Sequence, residues 1–212
     1  MSLSLLTAVS LNGVITPARG ESADALIPLL DPPRGVLEWK HEVRRRHGAV
    51  LVGTNTVLVD DPTLQSHAVP GFDPVRVTVD PGGRIPRKAR FFDGSARTLV
   101  GVTSGTPRGY LDFLAERGVE TVPCGDGPRC DLRALLEGLT GRGIADVVCE
   151  GGGTLNGALL AAGLVDRVYL VVMPVVLDPG SVRIFEGVGG MERFRMTGVE
   201  RVGDYLMVGY GR

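Results

Sequence analysis

The sequence predicts an α/β fold: a mainly parallel mixed sheet flanked by helices, with an antiparallel hairpin at the carboxyl end. Three observations predict it. Short β-rich apolar runs alternate with helical stretches along most of the 212 residues. Alternating strands and helices of this kind give a mainly parallel sheet, with "LSLLTAVSL" reading as a buried strand. The last two runs, 194–203 and 205–211, are separated only by a tight turn at Gly203-Asp204, so they pair antiparallel.

Taken in order, "LSLLTAVSL" (3–11) is a buried strand closed by the turn pair Asn12-Gly13. In "GVLEWKHEVRRRHG" (35–48), Val36, Leu37, Trp39 and Val43 fall on one face of a helix. "AVLVG" (49–53) is the next strand, and "VRVTVD" (75–80) alternates until Pro81-Gly82-Gly83 breaks it. "RTLVGVT" (97–103) is a strand, and Thr106-Pro107 opens a helix over 107–117 with proline at its first position. "VETVP" (119–123) is a strand, Asp131 caps a helix to Leu139, and "ADVVCE" (145–150) is a strand. A helix from near Thr154 to near Gly163 follows, and then the apolar strand 166–177. Glycine and proline, at 31 and 14 residues, make about a fifth of the chain. That lies below the ~25–30 % of low-complexity chains. No repeat or long linker divides the sequence, so one domain over 1–212 is expected.

Charge and composition exclude several function classes. A formal net charge of −1 leaves no basic footprint for nucleic acid or anionic lipid, and 5 % aromatics weakens base stacking. The longest apolar run, "VYLVVMPVVL", is far shorter than a membrane span, and "MSLSLLTAVSLNG" lacks the positive start of a signal peptide. A cytoplasmic protein is expected. Cys124, Cys130 and Cys149 lack CxxC spacing, so neither a disulfide framework nor a zinc site is expected, and Cys149 reads as a buried reduced thiol.

Three stretches carry chemistry. In "CEGGGTLNG" (149–157) a strand stops at Glu150 and a helix begins, leaving amides that suit a phosphate which glycines let approach. The same glycines also suit a close strand-to-helix turn, and both readings stand. The pattern from Gly151 is GxGxxN, with Asn156 where a Rossmann fingerprint has its third glycine, and no Lys-Ser or Lys-Thr follows for a Walker loop. "GTNTVLVDDPTL" (53–64) offers Thr54, Asn55, Thr56 and the pair Asp60-Asp61 before Pro62. These are either turn and capping groups or a hold on a hydroxyl. "VDPGGRIP" (79–86) ends a strand in a bend bearing Arg84, which is either a solvated charge or a clasp for a 2′-phosphate.

With "VSLNG", "GES" (20–22), "AVLVGTNTVLVDDPTL", "PVRVTVDPGGRIP" and "CEGGGTLNGALLAAGLVD" in this order, the chain resembles the reductase domain of riboflavin biosynthesis. That family lies in the dihydrofolate-reductase-like superfamily. No deaminase zinc motif precedes these stretches, so the resemblance is to the stand-alone reductase. It implies NADPH-dependent reduction of a ribosylamino-pyrimidinone 5′-phosphate to the ribitylamino product, by hydride delivery to an imine or aldehyde-like sugar carbon. The resemblance places Thr56, Asp60, the turn Pro81-Gly82, and Gly152, Gly153, Thr154, Leu155, Asn156, Gly157 and Ala158 on NADPH, and Arg84, two residues beyond that turn, is expected on the cofactor with them. Ser22, Arg44, Leu64 and Glu150 fall on the substrate side. Arg44 suits a sugar phosphate and Glu150 the pyrimidine or the reacting carbon, with a catalytic role there. Relatives of this kind are commonly dimers, so a homodimer is expected.

The departures from the family pattern touch the substrate side. Asn12 stands for Asp, Leu6 for a lysine of fused relatives, Asp24 for Trp, and His67 for a phosphate-binding arginine. The segment from Asp24 to Arg44 is about six residues longer than usual. A pterin, a folate or a specialised-pathway intermediate is therefore the alternative substrate, and a non-catalytic nucleotide-binding module is the alternative class.

Overall fold

The structure, a computed structural model, describes residues 1–65 and 74–212, so His67 lies outside the described residues. The chain runs through β1 (Ser2–Ser10), a 3₁₀ turn (Ala23–Leu26) that continues into the single-turn α1 (Ile27–Leu30), and α2 (Arg34–Arg45). Next come β2 (Ala49–Gly53), α3 (Thr54–Asp60), β3 (Val75–Val79), β4 (Thr98–Val102), α4 (Arg108–Glu116) and β5 (Glu120–Pro123). They are followed by α5 (Leu132–Thr140), β6 (Asp146–Cys149), α6 (Gly153–Ala161), β7 (Arg167–Met173), β8 (Arg195–Val202) and β9 (Tyr205–Gly211).

The described residues build a nine-stranded sheet in the order β5-β4-β3-β2-β6-β1-β7-β9-β8. β1 through β7 pair in parallel, and β9 runs antiparallel to both β7 and β8. The sheet is thus mainly parallel with an antiparallel hairpin at its end, as the sequence predicts. β6 is the hinge of the register: Cys149 stands beside Leu5 of β1 on one side and Leu51 of β2 on the other.

Both faces are covered, which is why β2 reads as an unbroken apolar run. On one face Leu3, Leu5, Leu51 and Cys149 pack against Leu135 and Leu139 of α5 and Leu155 and Leu159 of α6. On the other, Leu6, Val50, Val52 and Val148 pack against Val43 of α2, Val57 of α3 and Leu114 of α4. Cys149 is buried and free, and burial pushes its thiol up to about 12, so it is an inert core group. Asp131 caps α5 by accepting from the amides of Arg133 and Ala134 at 2.8 and 3.1 Å. No helix among the described residues is long and apolar enough to cross a membrane.

Three features differ from the sequence reading. Residues 54–60, read as capping and turn groups, form α3; the Thr54 hydroxyl donates to the Val79 carbonyl and Val57 is buried. The helix stops where Asp61 turns left-handed (φ 40°) ahead of Pro62. β7 ends at Met173 rather than 177 because Pro174 has no amide for the ladder. The chain beyond it folds back along α6, with Ile184 N–H donating to Gly13 O and Glu186 N–H to Gly153 O, each at 3.0 Å.

Candidate active site

The strand order sets β2 between β3 and β6, so Gly53, Asp80-Pro81 and Glu150-Gly151 share the carboxyl end of the sheet. In open α/β sheets that is the end where ligands bind. The glycine loop there meets backbone on two sides. A Cβ at Gly151 would lie 2.6 Å from Gly53 N, one at Gly153 1.9 Å from Arg183 O, and one at Gly157 1.8 Å from Glu186 O. These three glycines are required by close approach. Gly152 is different: its nearest neighbour to such a Cβ is Thr56 Oγ1 at 3.6 Å, and its N–H donates to that hydroxyl at 3.1 Å.

The amides of Gly153 and Thr154 begin α6 and have no carbonyl four residues back within the helix. The loop is therefore a tight turn and also presents unpaired amides at a positive helix end. Thr154 and Ala158 lie on the exposed side of α6, whereas Leu155, Asn156 and Gly157 are buried. Asn156 spends its amide on Thr7 Oγ1 and Ile184 O, both at 3.3 Å, so it anchors the helix. Thr154 donates its hydroxyl to Glu186 Oε2 at 3.0 Å, and Glu186 pairs with Arg19 at 2.9 Å.

After β3, buried Asp80 accepts from the amides of Arg84 and Ile85 at 3.0 and 2.9 Å and so shapes the turn containing Pro81 and Gly82. Arg84 leaves that turn exposed and donates to Asn55 Oδ1 at 3.0 Å, beside the start of α3. Arg84, Asn55, Thr56 and Gly152 thus line one continuous edge.

Glu150 and Arg44, separated by 106 residues, meet in a bidentate pair. Arg44 Nε reaches Oε1 at 2.7 Å and Nη2 reaches Oε2 at 2.6 Å, with each side chain 12 % exposed. Burial works to raise the Glu150 carboxyl, but the hydrogen bonds and charge of Arg44 outweigh it and hold it below the usual range. Burial likewise opposes the Arg44 charge, and Glu150 restores it. Arg44 Nη1 also donates to Gln65 O at 3.1 Å, while the Gln65 side chain donates to Ser95 Oγ at 2.9 Å. The fork expected on a sugar phosphate is turned to Glu150 here, with two N–H groups left over.

Leu64, just before Gln65, is buried in a left-handed backbone (φ 53°), uncommon for a bulky residue and a mark of local constraint. Ser22 caps the 3₁₀ turn by accepting from Asp24 N at 3.1 Å, and its hydroxyl lies near enough to the Asp60 carboxyl to favour its ionised form. Burial, reinforced by the Asp24 charge, raises that carboxyl despite Ser22. Asp60 and Ser22, which the resemblance gives to cofactor and substrate respectively, are therefore neighbours.

A cavity of about 80 Å³ opens beside this cluster, between Ala8, Asp24, Lys40 and Val171. A larger concavity of about 250 Å³, at Phe92, Arg97 and Arg117, lies by the amino end of β4, at the opposite end of that strand.

Residues 2–208 match the family described as the RibD C-terminal domain. The chain belongs to that family. Among RibD-domain relatives, a protein of Methanothermobacter thermautotrophicus is 38 % identical over 97 % of this chain and 95 % of its own length. One of Aquifex aeolicus is 29 % identical over 90 % of this chain and 84 % of its own. Both are named 2,5-diamino-6-ribosylamino-4(3H)-pyrimidinone 5′-phosphate reductases.

A solved deaminase/reductase of Thermotoga maritima aligns with a TM-score of 0.76 at 26 % identity, covering 99 % of this chain. The present chain spans only 56 % of that longer protein. A pyrimidine reductase-like protein of Corynebacterium diphtheriae, 16 % identical with a TM-score of 0.78, shares the fold. The RibD-domain fold is the dihydrofolate-reductase-like arrangement that the sequence resemblance implies.

Proposed function

We propose that this chain is a single-domain cytoplasmic reductase of riboflavin biosynthesis. With NADPH it reduces 2,5-diamino-6-ribosylamino-4(3H)-pyrimidinone 5′-phosphate, or the corresponding 5-amino-uracil compound, to the ribitylamino product. The observation that carries this is the match to the Methanothermobacter reductase, 38 % identical over 97 % of this chain and 95 % of that one.

The residues present fit NADPH. Gly152, where a Cβ would meet only the Thr56 hydroxyl, stands beside the first amides of α6 at Gly153 and Thr154 and suits a diphosphate, and exposed Arg84 at the Asn55 edge suits a 2′-phosphate. When bound, NADPH supplies a hydride. The chain's own residues do the rest. Arg44 holds Glu150 ionised and fixed, so that both carboxylate oxygens have set directions toward the aminopyrimidine and the opened sugar. Asp60, raised by burial, keeps a proton to higher pH than an ordinary aspartate, beside Ser22 on the substrate side. The apolar walls at Ala8 and Val171 exclude water from the reacting carbon. A homodimer belongs to the same reading, with the exposed edge strand β8, including Met196 and Val199, as its face.

Purified protein, NADPH and the ribosylamino substrate should lose nicotinamide absorbance in proportion to ribitylamino product formed, with dihydrofolate as the parallel substrate. Turnover of dihydrofolate alone, or NADPH binding without turnover of either, would sink the reading. Arg84→Ser should raise the KM for NADPH by about 10- to 100-fold and leave that for NADH unchanged, as loss of a charge-assisted phosphate contact requires. Equal effects on both cofactors would remove Arg84 from the 2′-phosphate.

A further inference from the structure

Cys124 and Cys130 take no part in the site described above, and an exposed stretch, residues 125–129, separates them in the chain. The fold closes that stretch into a ring. Cys124 follows β5, Asp131 caps α5, and the Asp131 amide donates to the Cys124 carbonyl at 2.8 Å. The two cysteines therefore stand at the neck of the ring, their backbones drawn toward the Cα separation of about 4–7 Å that a disulfide spans. Both pack on the apolar cluster that holds Val122 and Leu135; Cys124 is buried, Cys130 half-buried, and both are free thiols. Each acts on the other's ionisation: Cys130 favours the Cys124 thiolate against burial and lowers its pKa, and Cys124 in turn raises that of Cys130.

Hydrogen bonds tie this ring to the turn that the resemblance gives to the cofactor. The Gly125 carbonyl, next to Cys124, accepts from Ser104 N at 3.2 Å. Two residues further on, the Thr106 hydroxyl accepts from Thr103 N at 3.0 Å and donates to Pro81 O at 2.9 Å. Asp80, whose carboxylate shapes the same turn, is close enough for its charge to act on the Cys130 thiol. A change at the neck of the ring therefore reaches Pro81-Gly82 through a single loop.

We propose that Cys124 and Cys130 are a reversible dithiol–disulfide pair, oxidised by a small disulfide of the glutathione kind, and that closing the bond weakens NADPH binding at the Pro81-Gly82 turn. The second half rests on the reductase reading above; the first half does not. One proton lies between the two sulfurs once the pair has ionised, so the charge can pass to the half-buried Cys130. Its thiolate attacks the small disulfide: a mixed disulfide forms, the original S–S bond breaks, and one small thiolate leaves with the proton lost from the pair. Cys124, as thiolate, then attacks the Cys130 sulfur, the mixed disulfide breaks, and the second small thiolate leaves with the Cys124 proton. The cysteines give up two electrons, which reduce the small disulfide to two thiols. Bonding the sulfurs tightens the neck of the ring and shifts the Gly125 carbonyl, and with it the Ser104–Thr106 loop beneath Pro81. The ring is short, so the bond adds little stability and stays reducible.

The test treats the protein with glutathione disulfide and reads its mass and its NADPH affinity. Wild type should lose the mass of two hydrogens, and its tryptic fragments on either side of Arg129 should stay joined until reduced. Cys149, sealed in the core with its thiol pushed up to about 12, should remain free. The oxidised protein should bind NADPH about threefold to tenfold more weakly, the effect of disturbing one hydrogen-bonded support, and dithiothreitol should restore it. Cys130→Ser should neither form the bond nor respond to the oxidant. Cys124→Ser should stop at a mixed disulfide on Cys130. Thiols that stay reduced, or a wild-type glutathione adduct that is never resolved, overturn the pair. A disulfide that leaves NADPH affinity unchanged overturns the switch. Reduced wild type without NADPH affinity counts against the cofactor reading and the switch together, whereas the mass loss still decides the pair.

Discussion

Glu150→Gln should lower kcat by about 100- to 10,000-fold, the range for removing a group that manages a proton or a developing charge at the reacting centre. NADPH binding should stay within about threefold, since the glycine loop and Arg84 do not depend on the Glu150 charge. Glutamine keeps the shape and one acceptor for Arg44, so a folded protein is expected, and thermal melting checks it. Arg44→Met is the complementary variant. In the wild type the Glu150 carboxyl lies below its ordinary value, so its ionised form contributes stability above that ordinary value, lost as pH falls through the lowered one. Without Arg44, burial, the largest influence on the carboxyl, is opposed only by the charges of Lys40 and His41 and raises it. The acid limb of the kcat profile should then move to higher pH. A Glu150→Gln enzyme with near wild-type kcat would reduce Glu150 to a cap on the neighbouring helix.

Gly153→Ala should cost about 3 kcal/mol or more of folding stability, which lowers Tm by about 6–12 °C in a chain of this size. The added Cβ would stand 1.9 Å from the carbonyl oxygen of Arg183. That carbonyl cannot swing aside, because Arg183 bridges Val14 and the Glu186 amide bonds Gly153 O at 3.0 Å. Gly152→Ala is the contrast. Its Cβ meets only Thr56 Oγ1, at 3.6 Å, and its backbone (φ −53°) suits any residue. The fold should lose less than about 1 kcal/mol while the KM for NADPH rises by about tenfold, because the methyl group enters the space meant for diphosphate. If both variants melted alike and bound NADPH alike, the loop would be a turn and nothing more.

These contrasts also mark what the sequence could tell. Parallel strands such as Ala49–Gly53, the Asp131 cap and the closing hairpin follow from local pattern, because period, capping and turn chemistry act within a few residues. α3 escaped that reading. A seven-residue helix of Thr, Asn and Val has weak propensity and stands on tertiary ties, namely Thr54 to Val79, Thr56 to Gly152 and the buried Val57. The return of residues 182–186 across α6, which makes Gly153 and Gly157 obligatory, leaves no periodic signal at all. The resemblance named both Glu150 and Arg44 but gave each a ligand, whereas the structure joins them to each other across 106 positions.

The decisive measurement is the fate of a label. The protein, incubated with NADPH deuterated at the transferred position and the ribosylamino-pyrimidinone phosphate, should yield a ribitylamino product with one deuterium at the first sugar carbon, and Glu150→Gln should yield almost none. Product that carries no deuterium at that carbon, or NADPH that binds and is never oxidised, would contradict a hydride transfer assembled around Glu150 and the glycine loop.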